Sequence, residues 1–449
     1  MTDKYFIHTF GCQMNVHDSE KIAGILSESG LGETDSLNEA DVIVLNTCSI
    51  REKAEQKFYS ELGRLGAAKK NNPGLKIAVA GCIAQQKGSV LFKRFPYVDF
   101  VFGPDNIDNL HAWINKRPQS TDHRAQTTAL AHNPEYHNKA LPVKREGKVR
   151  AWVSIMYGCD NFCAYCVVPH TRGRERSRSS KDILDEISTL ARQGFREVTL
   201  LGQNVNSYGK NLPEKIDFPG LLGMIHDIEG IERIRFVTSH PRDLSEKLID
   251  AMSNLSRICK HLHLPVQAGS DKILSLMNRG YTYKQYKEKI DILRSAVPDI
   301  AVTTDIIVGF PGESEKDFQG TISALREIEF DGIFAFKYSI RPGTAAVGLP
   351  DHIDEKDKSA RLSEALDLQA GITYAKNKAL EGKTITVLTE GLSETDKEKL
   401  TGRTSSNKIV NFYGDESDIG RLVDIKISEA KQHSLFGTKE AILATNIHE

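Results

Sequence analysis

The amino-acid sequence predicts an α/β protein with three parts: an N-terminal βα parallel-sheet domain, a central partial (β/α)6 barrel and a small C-terminal all-β barrel. Strand-like runs alternate with helical patterns in the first part of the chain, and a longer alternation of the same kind follows a polar stretch. Near its end the chain changes to short alternating runs separated by glycines. These patterns are typical of a parallel sheet, a βα barrel and a small β-barrel.

The first alternation indicates the N-terminal domain, which we expect at residues 3–118. Its strand candidates and helical patterns follow one another at 4–10, 16–28, 41–45, 51–70 and 75–80. Because a helix between two strands usually joins them in parallel, these strands are expected to share one parallel sheet.

A polar stretch with prolines and no periodicity predicts a linker at 119–147. Six strand candidates follow, separated by helical patterns, at 152–156, 197–201, 234–238, 261–266, 301–308 and 333–339. Six βα units favour a partial barrel whose site lies in the loops after the strands. We expect this domain at 148–378, closed by a helix at about 356–380.

The remaining residues predict the small β-barrel, which we expect at 379–443. Its strand candidates are the short runs at 384–389, 408–413 and 421–428, with glycines between them.

Composition limits the classes of function. The 449 residues suffice for two to four domains, each with its own core. The 59 Lys and Arg residues nearly balance the 60 Asp and Glu residues, so any nucleic-acid contact must come from a local patch. Neither a membrane-spanning run nor a signal peptide is present, so we expect a cytoplasmic protein without membrane association. Seven cysteines in a reducing compartment favour metal ligation over disulfides.

Three cysteines lie in one short loop directly after a strand candidate. Cys159, Cys163 and Cys166, here called the loop triad, have a CxxxCxxC spacing. Three thiolates hold three irons of a cubane cluster and leave the fourth iron open for a cofactor. A structural zinc site needs four protein ligands, and the fourth would be a more distant residue such as His170. The spacing favours the open cluster.

Three more cysteines, here called the N-terminal triad, are Cys12, Cys48 and Cys82. They are far apart in sequence, but each follows a strand candidate of the N-terminal sheet. The carboxyl ends of parallel strands meet at one edge, where open α/β sheets bind ligands. The alternative is three unrelated buried thiols, and the regular placement favours a second cluster. The isolated Cys259 is predicted to pack as a small apolar residue.

The loop triad segment resembles the cluster motif of the radical S-adenosylmethionine (SAM) superfamily. Segments 9–15, 46–51 and 80–85, which contain the N-terminal triad, resemble signatures of the methylthiotransferase family. The resemblance covers nearly the whole chain and implies a C-terminal RNA-binding barrel of the TRAM type. It also implies two 4Fe-4S clusters, one on each triad, and SAM at the open iron of the loop triad. One departure is Tyr157, which stands where Glu is expected.

The same resemblance implies which residues bind SAM, at or near the ends of the strand candidates. They are Tyr165, Gln203, Asn204, Ser239, His240, Gln267, Asp305 and Val308. The glycine-rich turn after Val308 resembles the superfamily's adenine-side motif, although alone it is typical of any tight turn. No side-chain acid or base is expected to be catalytic, because the cofactor carries the difficult chemistry.

The resemblance implies insertion of a methylthio group at C2 of N6-dimethylallyladenosine, at position 37 next to the anticodon of tRNA. One SAM would methylate a cluster-bound sulfur, and a second would yield the 5′-deoxyadenosyl radical that abstracts the C2 hydrogen. The expected partners are the tRNA anticodon loop and an electron donor such as flavodoxin or ferredoxin. The protein is expected to be a monomer.

Four basic residues are candidates for substrate contact. They are Arg172 and Arg178 after the loop triad, and Arg403 and Lys408 in the C-terminal module. A solvated charged loop explains the two arginines equally well. Two other functions stay open: the same chemistry on another modified adenosine or a ribosomal protein side chain, and a non-catalytic iron–sulfur protein that binds RNA or carries electrons.

Overall fold

The structure, a computed structural model, describes residues 3–48, 52–115, 126–145 and 147–440. The N-terminal strands are β1 Lys4–Phe10, β2 Gly32–Glu33, β3 Val42–Thr47, β4 Lys76–Gly81, β5 Phe100–Phe102 and β6 Thr127–Ala129. The helices are α1 Gln13–Glu28, α2 Glu52–Asn71, α3 Cys82–Lys87, α4 Val90–Arg94 and α5 Asn109–Asn115. All strands pair in parallel, in the order β2-β1-β3-β4-β5-β6.

Both faces of this sheet are buried, which explains the continuous apolar run in β3. Val42 and Val44 face one core, whereas Ile43 and Leu45 face the other. A parallel sheet covered on both faces requires such a run. The predicted parallel sheet is therefore present, with its long strands within two residues of the expected positions.

Part of the expected linker at 119–147 packs against the N-terminal domain. Strand β6 lies within it and extends the sheet by pairing with β5. Further on, the backbone N–H of Lys144 donates to the carbonyl of Glu20 in α1 at 2.9 Å. A three-residue strand carries too little alternation to be recognised in a sequence.

The central domain follows, built from strands and helices. Its strands are β7 Arg150–Ser154, β8 Met156–Tyr157, β9 Arg176–Ser177, β10 Glu197–Leu201, β11 Arg233–Phe236, β12 His261–His263, β13 Ala301–Val308 and β14 Gly332–Lys337. Its helices are α6 Val168–Thr171, α7 Ser180–Arg192, α8 Phe218–His226, α9 Glu246–Asn254, α10 Asp271–Leu276, α11 Tyr283–Ala296, α12 Glu315–Ile328 and α13 Glu355–Lys378.

Six of these strands form the predicted partial barrel. They make two parallel three-stranded sheets, β7-β10-β11 and β12-β13-β14, and a parallel bridge joins Ile234 of β11 to Ile258, three residues before β12. Alternate strand residues such as Val153, Val198 and Val302 pack against the outer helices in one continuous core. The loops after the strands therefore meet at one end of the barrel.

The C-terminal module is a closed five-stranded barrel. Its strands are β15 Thr384–Leu392, β16 Leu400–Thr404, β17 Ile409–Tyr413, β18 Leu422–Ala430 and β19 Leu435–Lys439, in the order β15-β16-β17-β19-β18. This closure confirms the predicted fold class, and β16 and β19 are additions to the three expected strands. Among the residues described, no helix combines the length and apolar character needed to span a membrane.

Candidate iron–sulfur and cofactor sites

The N-terminal triad lies at one edge of the N-terminal sheet because its strands end in register. Phe10, Thr47 and Gly81, the last residues of β1, β3 and β4, are paired across the sheet. Cys48 and Cys82 follow the ends of their strands directly, and Cys12 follows one residue later. The structure thus brings together three residues that are far apart in sequence.

The thiols of this triad influence one another. A hydrogen bond with Cys48 lowers the pKa of Cys12 to about 6, against the effect of burial. Burial raises the pKa of Cys82, and the charge of Cys12 acts in the same direction. The backbone at position 11 can approach Cys48 only if the residue is glycine, because a Cβ there would lie 2.3 Å from Cys48 Cβ.

A buried ion pair completes the surroundings of the N-terminal triad. Arg172 Nη2 lies 2.7 Å from Asp18 Oδ2, and both side chains are almost fully buried. Arg172 also hydrogen-bonds Cys82 and lowers its pKa. Within the described residues, Arg172 Nη1 and Asp18 Oδ1 are buried without hydrogen-bond partners. Three thiols with an unused cationic donor beside them fit an anionic iron–sulfur cluster.

The loop triad lies between β8 and α6, at the end of the barrel that the strand ends form. Gly158 has φ +74°, and a Cβ there would lie 2.0 Å from the carbonyl oxygen of Arg174. Burial raises the pKa of Cys159 to about 11 and that of Cys166 to about 12. In the described part of the chain, no three ligand side chains are grouped to hold a single metal ion.

A second buried arginine accompanies the loop triad. Arg279 Nη1 lies 3.2 Å from Cys163 Sγ and 3.3 Å from the Tyr165 hydroxyl, and Arg279 is 4% exposed. Sequence reasoning missed Arg279, because it lies 116 residues after Cys163 and in no recognised motif. Its positive charge would offset the negative charge of a thiolate-bound cluster at this loop. The charge of Arg172 would do the same at the N-terminal triad.

Five of the expected SAM residues lie in the loops that follow the carboxyl ends of the barrel strands. Gln203 and Asn204 follow β10, Ser239 and His240 follow β11, and Gln267 follows β12. Gln203 Oε1 accepts from the Gly158 N–H at 2.5 Å, and Asn204 Oδ1 accepts from the His240 N–H at 3.1 Å. These bonds tie the strand ends to one another and to the cluster loop.

Several polar atoms of this set are buried without a hydrogen-bond partner in the part of the chain that the structure describes. They are Gln203 Nε2, Ser239 Oγ, His240 Nε2 and Gln267 Oε1. Buried polar atoms are normally paired, so this group fits a polar ligand such as the amino acid and ribose parts of SAM. Gln267 also has φ +74°, a strained conformation for a residue with a side chain.

The remaining expected SAM residues differ in exposure. Val308 is fully buried at the end of β13. Asp305 on the same strand is partly exposed, with Oδ1 3.5 Å from His263 Nε2. Burial and the charge of Arg279 lower the pKa of His240 to about 2, so its imidazole is neutral. Because its Nδ1 accepts from the Arg242 N–H, its Nε2 carries the proton and is a donor.

The four expected substrate contacts have partners within the chain. Arg172 pairs with Asp18, Arg178 with Glu186 at 2.8 Å, Arg403 with Glu390 at 3.2 Å and Lys408 with Asp331 at 3.2 Å. Substrate contact by these four residues stays a prediction, and the structure shows that each already has a carboxylate partner within the chain. The sequence showed the positive charges but not the carboxylates that distant segments bring to them.

Comparisons with known proteins match each part of the chain. The family models are Uncharacterized protein family UPF0004 at residues 4–103, the Radical SAM superfamily at 153–325 and the TRAM domain at 378–439. Among solved structures, the radical S-adenosylmethionine methyltransferase TsrM from Kitasatospora setae has a TM-score of 0.54 at 14% identity, and 77% of each chain is covered. At that identity the match shows the fold alone.

Curated relatives are much more similar and match nearly the full chain. The tRNA-2-methylthio-N(6)-dimethylallyladenosine synthase of Thermodesulfovibrio yellowstonii is 56% identical, covering 96% of this chain and 97% of the relative. The protein of the same name from Syntrophus aciditrophicus is 52% identical, covering 96% and 93%. The chain therefore belongs to the radical SAM methylthiotransferase family, whose enzymes use SAM and iron–sulfur clusters.

Proposed function

We propose that this enzyme inserts a methylthio group at C2 of N6-dimethylallyladenosine, at position 37 next to the anticodon of tRNA. The observation that carries the proposal is the presence of two cysteine triads in one chain, each with a buried arginine beside it. One triad serves radical formation, and the other serves sulfur delivery. The names of the relatives, at 46–56% identity, support the same substrate.

The loop triad is the proposed site of SAM cleavage. Cys159, Cys163 and Cys166 would hold a 4Fe-4S cluster there, which would supply one electron for the cleavage of SAM. The chain's own residues orient the cofactor: Ser239, His240 and Gln203 offer donors, and Gln267 offers an acceptor. Arg279 offsets the negative charge of the thiolates beside Cys163. An external reductant of the flavodoxin or ferredoxin type completes this part of the proposal.

The N-terminal triad is the proposed site of the second cluster and of the transferred sulfur. An aromatic C2–H is not acidic enough for a side-chain base near neutral pH, so a radical route is chemically reasonable. The role of the N-terminal domain is to hold three thiolates at one sheet edge and to keep water away from them. Cys48 and Cys82 are buried accordingly.

The tRNA substrate must present its base outside the stack, which an anticodon loop permits more easily than a duplex. In the C-terminal barrel Tyr413 is 55% exposed, whereas its neighbour Phe412 is buried in the barrel core. We therefore propose Tyr413 as the stacking contact of the module. An enzyme that modifies tRNA must be in the same compartment as its substrate. We therefore propose that this enzyme is located in the cytoplasm.

The test is an anaerobic reconstitution of the full chain with iron, sulfide, SAM, reductant and tRNA carrying N6-dimethylallyladenosine. The expected products are 5′-deoxyadenosine and 2-methylthio-N6-dimethylallyladenosine, measured by mass spectrometry of nucleosides. The Cys12→Ala variant is expected to lose the methylthio product, and Cys259→Ala, outside both triads, is the matched control. Persistence of the modified nucleoside in a deletion strain without a paralogue would overturn the substrate assignment.

A further inference from the structure

We propose that Arg172 is a positioning residue for the N-terminal cluster: held by Asp18, it places a positive charge beside the thiolates and raises the cluster's reduction potential. The inference rests on the proposed function, since it requires a cluster at the N-terminal triad. It goes beyond the proposed function because it assigns the electrostatic control of the N-terminal cluster to a residue of the central domain.

The placement of Arg172 is fixed from the loop triad. Cys166 is followed by the one-turn helix α6, Val168–Thr171, and Arg172 caps it by donating its N–H to the Val168 carbonyl at 2.8 Å. Helix α6 packs against α3, whose first residue is Cys82. Arg172 is thus anchored six residues after one triad and reaches the other.

The charge of Arg172 is maintained despite burial. The side chain is 4% exposed, and that of Asp18 is 2% exposed. A guanidinium is always charged in proteins, and the Asp18 carboxylate at 2.7 Å compensates this charge in its buried position. One oxygen of Asp18 accepts from one guanidinium nitrogen, while Nη1 is buried without a hydrogen-bond partner in the part of the chain that the structure describes. A buried charge without a full set of partners points to a further anionic group.

The reduction potential of the N-terminal cluster should therefore depend on the Arg172–Asp18 pair. Reduction adds one negative charge to a cluster, and a nearby guanidinium stabilises the reduced form. Replacing Arg172 removes that stabilisation and leaves the Asp18 carboxylate unpaired, so the potential should fall. Replacing Asp18 alone leaves the guanidinium uncompensated, so the potential should rise.

The chain contains a matched control four residues further on. Arg176 Nη2 lies 3.0 Å from Asp105 Oδ1, and this pair also joins the central domain to a buried carboxylate of the N-terminal domain. None of the hydrogen bonds of Arg176 reaches a cysteine within the described residues. Arg176 also donates to the Arg172 carbonyl at 2.9 Å. Its loss therefore reports the structural cost of removing a buried ion pair between domains, together with any effect of that backbone bond on Arg172, but it removes no charge that bonds to the triad.

The experiment uses the full chain with Cys159, Cys163 and Cys166 replaced by Ala, so that only the N-terminal cluster is loaded. A potentiometric titration followed by electron paramagnetic resonance then gives its reduction potential. For Arg172→Gln we expect at least a tenfold lower ratio of reduced to oxidised cluster at a fixed potential, ~59 mV for a one-electron couple. Arg172→Lys should restore most of the parent chain's ratio, and Asp18→Asn should shift the reduction potential upward.

The outcomes separate this inference from the proposed function. If the parent chain binds no iron at the N-terminal triad, both fail. If iron is bound but Arg172→Gln shifts the potential no more than Arg176→Gln does, only the role of Arg172 is overturned. Should Arg172→Gln fail to fold, Asp18→Asn decides: an unchanged or lower potential contradicts the proposal, and a higher one supports it.

Discussion

Gly11 directly precedes Cys12 and lies against Cys48, and these two cysteines of the N-terminal triad share a hydrogen bond. Its φ is +141°, and an added Cβ would meet Cys48 Cβ at 2.3 Å and Cys48 Sγ at 3.3 Å. The backbone of β1 can therefore approach Cys48 only without a side chain at this position. The glycine is a requirement of the site rather than of the sheet.

We predict that Gly11→Ala impairs the N-terminal cluster while the loop triad stays intact. The clash moves Cys48 away from Cys12, so reconstituted protein should contain about half the iron of the parent chain. Gly32→Ala is the control, since a Cβ at Gly32 meets nothing within 4 Å. Iron and sulfide analysis of anaerobic protein gives the measurement. Full iron content in Gly11→Ala would contradict the assigned geometry.

His240 offers a second test at the scale of one residue. Its pKa falls to about 2 in the folded chain, whereas an unfolded histidine titrates near 6.5. Below pH 6.5 the unfolded chain therefore binds a proton that the folded chain does not bind, and stability is lost as pH falls. The loss approaches about 1.4 kcal/mol per pH unit for this single group.

We predict that His240→Gln reduces this pH dependence. Between pH 7 and pH 5 the melting temperature of the apoprotein should fall less in His240→Gln than in the parent chain. His170→Gln, which removes a histidine from an exposed position, is the control. Equal losses in both variants would show that His240 is not held neutral by its surroundings.

At the scale of elements, the register of the strands explains both triads. The ends of β1, β3 and β4 form one row, and the loop triad follows β7 and β8 at the first position of the barrel. Buried parallel strands carry nearly continuous apolar runs, and the sequence therefore located β1, β3 and β4 within two residues. The convergence of the N-terminal triad could be predicted because the carboxyl ends of parallel strands meet at one edge.

The missed strands have physical reasons of their own. Strands β16 and β19 each contain a glycine, Gly402 and Gly437, which weakens the β pattern. Both glycines are required, because a Cβ would lie 2.3 Å from the Leu388 carbonyl oxygen or 2.4 Å from that of Lys426. The close packing of a small barrel thus removed the signal by which its strands are recognised.

At the scale of the whole molecule, the contacts between domains were beyond sequence reasoning. Asp18 and Arg172 are 154 residues apart, and neither side chain is part of a local pattern. Sequence analysis identified Arg172 by its charge as one candidate for substrate contact. The packing of α6 on α3 places this charge beside Cys82, which no local pattern indicated. The cysteines were predictable because their spacing is local or follows the strands, whereas their arginine neighbours were not.

The C-terminal barrel is held to the central barrel by buried arginines. Arg235 donates to the carbonyl of Thr404 at 2.6 Å and to that of Ser405 at 3.1 Å, and it pairs with Glu197 at 2.9 Å. Arg233 likewise donates to the Arg403 and Thr386 carbonyls. These bonds end on the backbone of the C-terminal module, so they fix its position without depending on its side chains.

We predict that Arg235→Gln loosens the C-terminal barrel. The change leaves Glu197, which is 1% exposed, as an unpaired buried charge, at a cost of about 3–5 kcal/mol. Hydrogen exchange should therefore rise in β16 and β11 while the N-terminal sheet keeps its protection. Lys431→Gln is the control, because its ion pair with Glu429 lies on the surface and contributes about 0–1 kcal/mol. Unchanged exchange in Arg235→Gln would mean that the module is held by its other contacts, such as the pair of Lys408 with Asp331.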